Sequence, residues 1–324
     1  MTSSEFGPMR LVVNPRAGRG AVDAALPAIQ EALREEGLSF DIVLTEGRGQ
    51  AEHLTREALT DGKRFIVAVG GDGTAHEVVN GLMGEHEPVE PDAVLGLVPS
   101  GSGCDLVRTF GIRPDPVAAA RGLAGKKLWG KLDIPRVHYR DAEGHPASRW
   151  FINIAEAGIG AQVVRAAARM PRWLGGRAYR LAALRGILTF KPQEASVVMN
   201  GRKARGVRRD APLERLSRAG TFTMVVIANC QFFGGGLRVA PRAIPSDGML
   251  DVVVGEGTKM QALTALRKMP LGEHVPAETF MEFLADRVDL EGTTDPLWIE
   301  ADGEILGTTP ARFEVVPGAI PLKT

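Results

Sequence analysis

The sequence predicts two domains: an α/β domain on a parallel, doubly wound sheet, then a mostly antiparallel β-sandwich domain. Three observations carry this. Short β-branched runs alternate with helical patterns as far as about residue 130. Each of those runs ends in a polar or glycine-rich segment. From Leu132 onward, strand-like runs separated by turn residues take over.

The runs RLVVN (Arg10–Asn14), FDIVLT (Phe40–Thr45), RFIVAVG (Arg64–Gly70) and AVLGLVP (Ala93–Pro99) are nearly all apolar. Strands covered by helices on both faces must read that way. Helical patterns occupy Val22–Glu36, Ala51–Thr60, His76–Met83 and Asp105–Phe110, completing the strand–helix rhythm of a parallel sheet. The strand ends read NPRAG, TEGRG, GGDGT and PSGSG. Ligands of such folds bind beyond the carboxyl ends of the strands, so four loops should converge on one edge. The second half offers KLDIPRVHY, RWFINIA, ASVVMN, TFTMVVIAN, MLDVVVG and LWIEADGE, with one helical insert from Gln162 to Leu188. The expected domains are 9–130 and 131–305, with the boundary near Lys126–Leu132, after the LAGKK turn. A closing segment, 306–324, should return to the first domain. Repeats and low-complexity tracts are absent.

Composition narrows the class. Lys+Arg and Asp+Glu both number 39 in 324 residues, so no global charge points to nucleic acid. Cys104 and Cys230 stand far apart without metal-ligand spacing, which excludes a disulfide framework and suits the cytoplasm. The start MTSSEFGPMR lacks the basic and apolar regions of a signal peptide, and its first eight residues read as an appendage ahead of Met9. No apolar run approaches the ~18 residues of a membrane span. The expectation is a cytoplasmic protein, peripheral at most to the inner face of the membrane.

The densest motif is AVGGDGTAHEVVNGL, Ala68 to Leu82. It follows a buried strand and precedes a helix, whose first N–H groups lack partners and favour an anion. Glycines let the backbone approach a phosphate closely. Asp72 beside such a cradle suggests a cation or a ribose hydroxyl between carboxylate and phosphate. The plainer alternative is a tight βα turn. Neither GxxxxGK[ST] nor a GxGxxG opening the first helix is present, which excludes a P-loop and a dinucleotide fingerprint.

With these residues in view the sequence resembles the bacterial diacylglycerol kinase-like lipid kinases, relatives of diacylglycerol, sphingosine and ceramide kinases, over nearly its whole length. VVNPRAGRG is similar to the family's first ATP motif, GGDGTAHEVVNGL to its phosphate loop, and PSGSGCDLVRTFGI to its third motif, with Cys104 where the family usually has asparagine. NCQFFGGGLRVAPRAIPSDGMLDVVV and IEADGEILG extend the match. The resemblance implies an NAD-kinase- and phosphofructokinase-like first domain, with the nucleotide site in the interdomain cleft. It implies ATP contacts from Asn14, Pro15, Arg16, Ala17, Gly18, Thr45, Gly70, Gly71, Asp72, Gly73, Thr74, Ala75, His76, Glu77 and Ser102. It also implies a structural Mg²⁺ on Asp247 and the carbonyls of Ile244 and Met249, a catalytic Mg²⁺ organised by Asp72 through water, and Glu304 as general base. Asp302 would lie on the same side as Glu304 if the segment is extended. Both Ser-Asp-Gly and Asp-Gly-Glu read equally as plain turns.

The implied activity is ATP- and Mg²⁺-dependent phosphorylation of a lipid primary hydroxyl, diacylglycerol first. Sphingoid bases, ceramide and phosphatidylglycerol are alternatives; an NAD-kinase-like enzyme and a non-catalytic nucleotide or lipid sensor are remoter ones. A homodimer is also implied. Between Gln162 and Arg218 fourteen Lys/Arg face three acids, Glu194, Asp210 and Glu214, among Trp173, Leu174, Tyr179, Leu181, Leu184, Ile187 and Phe190. That surface suits anionic lipid, a solvated helix face being the alternative; no nucleic-acid module accompanies it. His76 reads as a helix-start or nucleotide-contact residue, Glu77 as a residue ordering the phosphate loop, Cys230 as core, and Glu156 as a candidate substrate contact.

Overall fold

The four apolar runs of the first half become the strands β1 (Met9–Val13), β2 (Phe40–Leu44), β3 (Phe65–Gly70) and β4 (Val94–Pro99) in a computed structural model. It describes residues 4–100, 104–169, 177–204 and 211–324. The chain divides into two units, Met1–Ile134 with Pro317–Thr324, and Pro135–Val316.

In the first unit the strands run parallel in the order β4-β3-β1-β2. β3 and β4 are buried along their whole length, while the edge strand β2 is half covered. Helices α1 (Ala21–Glu35), α2 (Gln50–Thr60), α3 (Asp72–Leu82), α4 (Asp105–Thr109) and α5 (Pro116–Gly122) complete the unit. α5 follows a clear start signal: Asp115 accepts the N–H groups of Val117 and Ala118, and Pro116 sits at the first helical position. Val22, Ile29 and Leu33 of α1 pack with Ala120 and Leu123 of α5 on Met9, Leu11, Val67 and Val69. The chain goes from β1 to β2 on one side and then back past β1 to β3, so the topological switch point lies between β1 and β3. This is where doubly wound sheets bind ligands. Phe6, ahead of Met9, packs edge-on against Phe65 with ring centroids 5.7 Å apart. At the other terminus Leu322 pairs with Leu95 in parallel, and buried Lys323 donates to the carbonyls of Gly122 and Thr324.

The second unit takes in β5 (Leu128–Arg140) from Pro135, β6 (Pro146–Trp150), β7 (Ile154–Gly158), β8 (Gln193–Lys203), β9 (Glu214–Ala228), β10 (Leu250–Glu256), β11 (Phe280–Gly292), β12 (Trp298–Ala301) and β13 (Glu304–Lys323) as far as Val316. Its pairings are antiparallel. β9, β10, β11 and β8 pair in a closed ring, and β7, β12 and β13 bridge from β9 back to β11. The alternate residues Val197, Phe222, Val225, Ile227, Val252, Ile299 and Phe313 fill the interior with Phe151, as the period of two requires. The helical insert is two helices, α6 (Ile159–Ala168) and α7 (Arg177–Thr189), rather than one. A further helix, α8 (Lys259–Lys268), starts with a capping box in which Thr258 and Gln261 satisfy each other's backbone. Ala262 and Ala265 of α8 join Ile159 and Phe190 on the outer face of the sheet. No helix among the described residues is long and apolar enough to cross a membrane.

Candidate active site

Helix α3 starts at Asp72, four residues before the His76 that the apolar periodicity suggested, with Gly71 as its N-cap. Asp72, Gly73 and Thr74 are therefore its first turn rather than a loop before it. Gly71, the N-cap itself, has no side chain with which to cap this end. The N–H groups of Thr74 and Ala75 reach back to the Gly71 carbonyl at 3.0 and 3.2 Å, while the space beside Gly73 is open for 4 Å around where a Cβ would stand. Gly70 is the opposite case. A Cβ there would come within 2.4 Å of the Thr74 hydroxyl, so only glycine allows this turn. The Asn14 amide donates to that same hydroxyl at 3.4 Å and accepts the Arg16 N–H at 3.1 Å. The ends of β1 and β3 are thus tied together at the switch point, beneath the start of an eleven-residue helix. Such an end carries partial positive charge and outward donors, an anion site by construction.

The acids of this motif hold neighbouring loops. The Asp72 carboxylate accepts the N–H groups of Asp105 at 3.0 Å and Leu106 at 3.4 Å, the first turn of α4. Glu77 accepts those of Gly49 at 2.9 Å and Ala51 at 3.0 Å, and so caps α2. It orders the TEGRG loop rather than the phosphate loop for which it was expected. The Thr45 N–H bonds to the Val13 carbonyl at 2.8 Å and its side chain is buried. His76 is wholly buried against Asn80, so its ring presents no surface to a ligand. Ala75 is buried as well. Pro15 and Ala17 are half-buried; Gly18, Arg19 and Gly20 take left-handed φ of 59, 63 and 86°. That conformation is strained only for Arg19, a residue the sequence did not single out. Arg16 and Arg19 are exposed and carry no ion pair among the described residues. Ser102 lies outside the described residues.

In the second unit Asp247 and Met249 precede β10. Asp247 accepts the Met249 N–H at 3.2 Å, and the Ile244 carbonyl accepts that of Ser246 at 2.8 Å. One carboxylate and backbone carbonyls are hard oxygen donors of the kind Mg²⁺ takes, and a carbonyl already in one hydrogen bond keeps a second lone pair. The residues fit the ion in kind. Among the described residues no cluster of three or more His, Cys, Asp or Glu offers a metal site.

Glu304 opens β13 and is half-buried. The Asp302–Glu304 segment is not extended. Ala301 pairs with Glu304 across a two-residue turn in which Asp302 and Gly303 have φ of 50 and 83°, the left-handed pair of a tight hairpin. Asp302 points away on its own errand: its carboxylate accepts the N–H groups of Ile152, Asn153 and Ile154 at 2.9, 2.9 and 3.1 Å. Tyr139, whose hydroxyl is pushed up in pKa by burial, feels the charge of Glu304 as well. Glu156 is almost wholly buried and accepts the Gly160 N–H at 2.7 Å; burial lifts its pKa to about 8. It stands directly opposite Glu300 across β7 and β12. Glu300, equally buried, is held well above the ordinary carboxylate range by desolvation and then by Glu156. Sequence reading passed over Glu300, since only strand register brings it to Glu156.

A parallel α/β unit with an open helix N-terminus at its switch point, followed by a closed antiparallel β unit, defines a class of phosphate-binding enzyme. Residues 8–134 match the diacylglycerol kinase catalytic domain, and residues 153–324 match the YegS C-terminal NAD kinase beta sandwich-like domain. The chain is 27% identical over 320 residues to a diacylglycerol kinase of Mycobacterium tuberculosis, covering 98% of this chain and 94% of that one. It is 25% identical over 306 residues to a diacylglycerol kinase of Bacillus subtilis, covering 94% and 92%. A solved diacylglycerol kinase structure from Bacillus anthracis superposes with a TM-score of 0.69 at 19% identity, covering 99% and 97%, and shares the fold. The chain belongs to the diacylglycerol kinase-like family of lipid kinases, and is a kinase.

Proposed function

We propose that the protein transfers the γ-phosphoryl group of ATP to the primary hydroxyl of a lipid, diacylglycerol giving phosphatidic acid. The observation that carries this is the glycine-rich start of α3, open beside Gly73 and seated at the switch point. Backbone N–H groups of Gly71, Gly73 and Gly18 bind the phosphates, and Arg16 adds charge. Glu304 accepts the proton of the lipid hydroxyl; that oxygen bonds to the γ-phosphorus as the bond to the β–γ bridging oxygen breaks, and ADP leaves. Mg²⁺, when bound, neutralises phosphate charge. Asp72 would help hold one such ion, and Asp247 with the Ile244 and Met249 carbonyls would hold a second. Such a reaction needs positioning and charge neutralisation more than covalent help from the protein.

Contact with an anionic membrane is part of the same proposal. From Ala157 to Gln193 the chain has no acid and seven basic residues, Arg165, Arg169, Arg172, Arg177, Arg180, Arg185 and Lys191. Leu181, Leu184 and Leu188 of α7 are exposed by 47, 43 and 55%, and their spacing puts them on one helix face. Arg172, Trp173, Leu174 and residues 205–210 lie outside the described residues, and the side chains of Arg177, Tyr179, Arg180 and Ile187 are undescribed. An apolar stripe edged by arginine suits a lipid interface.

The test is a kinase assay with labelled ATP over a panel of diacylglycerol, sphingoid base, ceramide and phosphatidylglycerol, with NAD as a further arm and products separated by thin-layer chromatography. Label on diacylglycerol is the expected result. Label on another lipid moves the substrate, and label on NAD alone overturns the reading. Sedimentation with phosphatidylglycerol vesicles should carry the protein down, phosphatidylcholine vesicles much less, and Leu184→Glu should weaken the first.

A further inference from the structure

The turn that presents Glu304 is held far more firmly than a surface hairpin requires. A two-residue turn between β12 and β13 leaves the N–H groups of Asp302 and Gly303 pointing outward, where water ordinarily takes them. Here both are taken by protein. The Asp302 N–H bonds to the Ile154 carbonyl at 2.9 Å. That of Gly303 bonds to Oε2 of Glu300 at 3.0 Å. The Asp302 carboxylate adds its three bonds to the backbone of Ile152–Ile154. Glu304 follows the clamped Gly303 directly, which leaves the proposed base little freedom except its own rotamers.

Glu300 is the costly part of the clamp. Its carboxyl is 3% exposed and faces a second buried carboxyl, Glu156, directly across the strand pair. Burying an acid to satisfy one N–H is a poor bargain for stability alone, because an apolar side chain of similar volume avoids the desolvation. Over-determined turns of this kind gather where a side chain must be aimed. Glu156 extends the brace: its Oε1 accepts the N–H of Gly160 in the first turn of α6. Each of the two facing carboxyls thus holds one backbone N–H, Glu156 that of Gly160 and Glu300 that of Gly303.

We propose that Glu300 is a positioning residue for Glu304. It fixes the Asp302–Gly303 turn through the Gly303 N–H, from a position opposite Glu156 on the neighbouring strand. The proposal rests on Glu304 being the general base.

The test uses the full chain and four variants, with diacylglycerol micelles and ATP·Mg²⁺. Glu300→Met fills the same space without an acceptor; Glu300→Gln keeps an acceptor for Gly303 and a donor for Glu156. The Met variant should melt no lower than the parent, yet lose roughly 10–100-fold in kcat with the KM for ATP unchanged, as misplaced catalytic groups do. The Gln variant should restore kcat to within about threefold of the parent. In a Glu304→Gln background Glu300→Met should cost nothing further, since both act on one step. A purely structural Glu300 gives a lower melting temperature and unchanged kcat per folded molecule, and overturns the proposal. Loss of kcat that persists additively in the Glu304→Gln background also overturns it. Full activity of Glu304→Gln alone removes the base assignment first, a failure separate from that of Glu300. Should the Met variant not fold, Glu300→Leu removes the same acceptor, and an unchanged kcat there overturns the proposal.

Discussion

Both units place carboxylates around a turn, and they do so in opposite ways. Around the Gly70–Thr74 segment, Asp72 and Glu77 turn outward to cap α4 and α2. Around the β12–β13 turn, Glu300 and Asp302 turn inward to the N–H groups of Gly303 and of Ile152–Ile154. On the proposed reading the first arrangement leaves the start of α3 to an anion, and the second fixes the aim of a base. The difference shows in titration too: the inward pair of Glu156 and Glu300 is pushed up by burial.

The strongest way to break this comparison is at Glu304 itself. Glu304→Gln should reduce kcat by about 10²–10⁴-fold, the range for a lost general base, while ATP binding measured by calorimetry stays as in the parent. Retained turnover would leave the saturated turn without a chemical purpose.

Next comes the pH dependence of the buried pair. Below the ordinary carboxylate pKa of 4.5, Glu156 is protonated folded and unfolded alike. As the pH rises from 4.5 towards 8 the unfolded chain releases that proton while the folded one keeps it. Stability from this residue is therefore lost across that window, by an amount on the order of a few kcal/mol. Glu156→Gln should match the parent near pH 4.5 and be the more resistant to urea at pH 8. Parallel pH profiles for the two proteins would show that Glu156 is ionised inside the fold.

Much of the fold could be read from residue pattern. The four largely apolar runs all became strands, β3 and β4 buried along their whole length, and their glycine-rich ends marked where a site was expected. The start of α3 was hidden because Gly-Asp-Gly-Thr is poor helix material in isolation; it becomes a first turn only because Thr74 nests against Gly70 and Asn14. α8 carried a readable signal, Thr258 with Gln261 three residues on. The clamp on Glu304 carried none. Asp302 meets residues 152–154, and Glu300 meets Glu156, through pairings between segments far apart in the chain. Asp-Gly-Glu has the same three letters whether it is a plain hairpin or an aimed base; it proves to be a hairpin in form, with its aim supplied from elsewhere.

A substitution at Gly73 sharpens the open side of the comparison. The position is in open space and within the first turn of α3, so Gly73→Asp fits without strain. A carboxylate there favours the helix by about 0.3–1 kcal/mol, yet it occupies the field meant for phosphate. Melting temperature should hold or rise while the Kd for ATP weakens by about tenfold or more. A variant that binds ATP as the parent does would show that the phosphates sit elsewhere.

The smallest effects separate the two duties of Asp72. Its cap on α4 needs an oxygen, not a charge, so Asp72→Asn should keep the cap, whereas Asp72→Ala should lose about 1 kcal/mol, near 2–4 °C in the melting temperature. Glu77→Ala, which uncaps α2, should lose a similar amount and spare catalysis only so far as the TEGRG loop stays in place. Binding divides the Asp72 variants differently. If Asp72 also organises Mg²⁺, both should lose the extra thermal protection that Mg²⁺ adds to ATP, Asn despite its intact cap. An Asn variant with the parent's Mg²⁺-dependent shift would reduce Asp72 to a cap, and the first unit would then spend all its acids on neighbours.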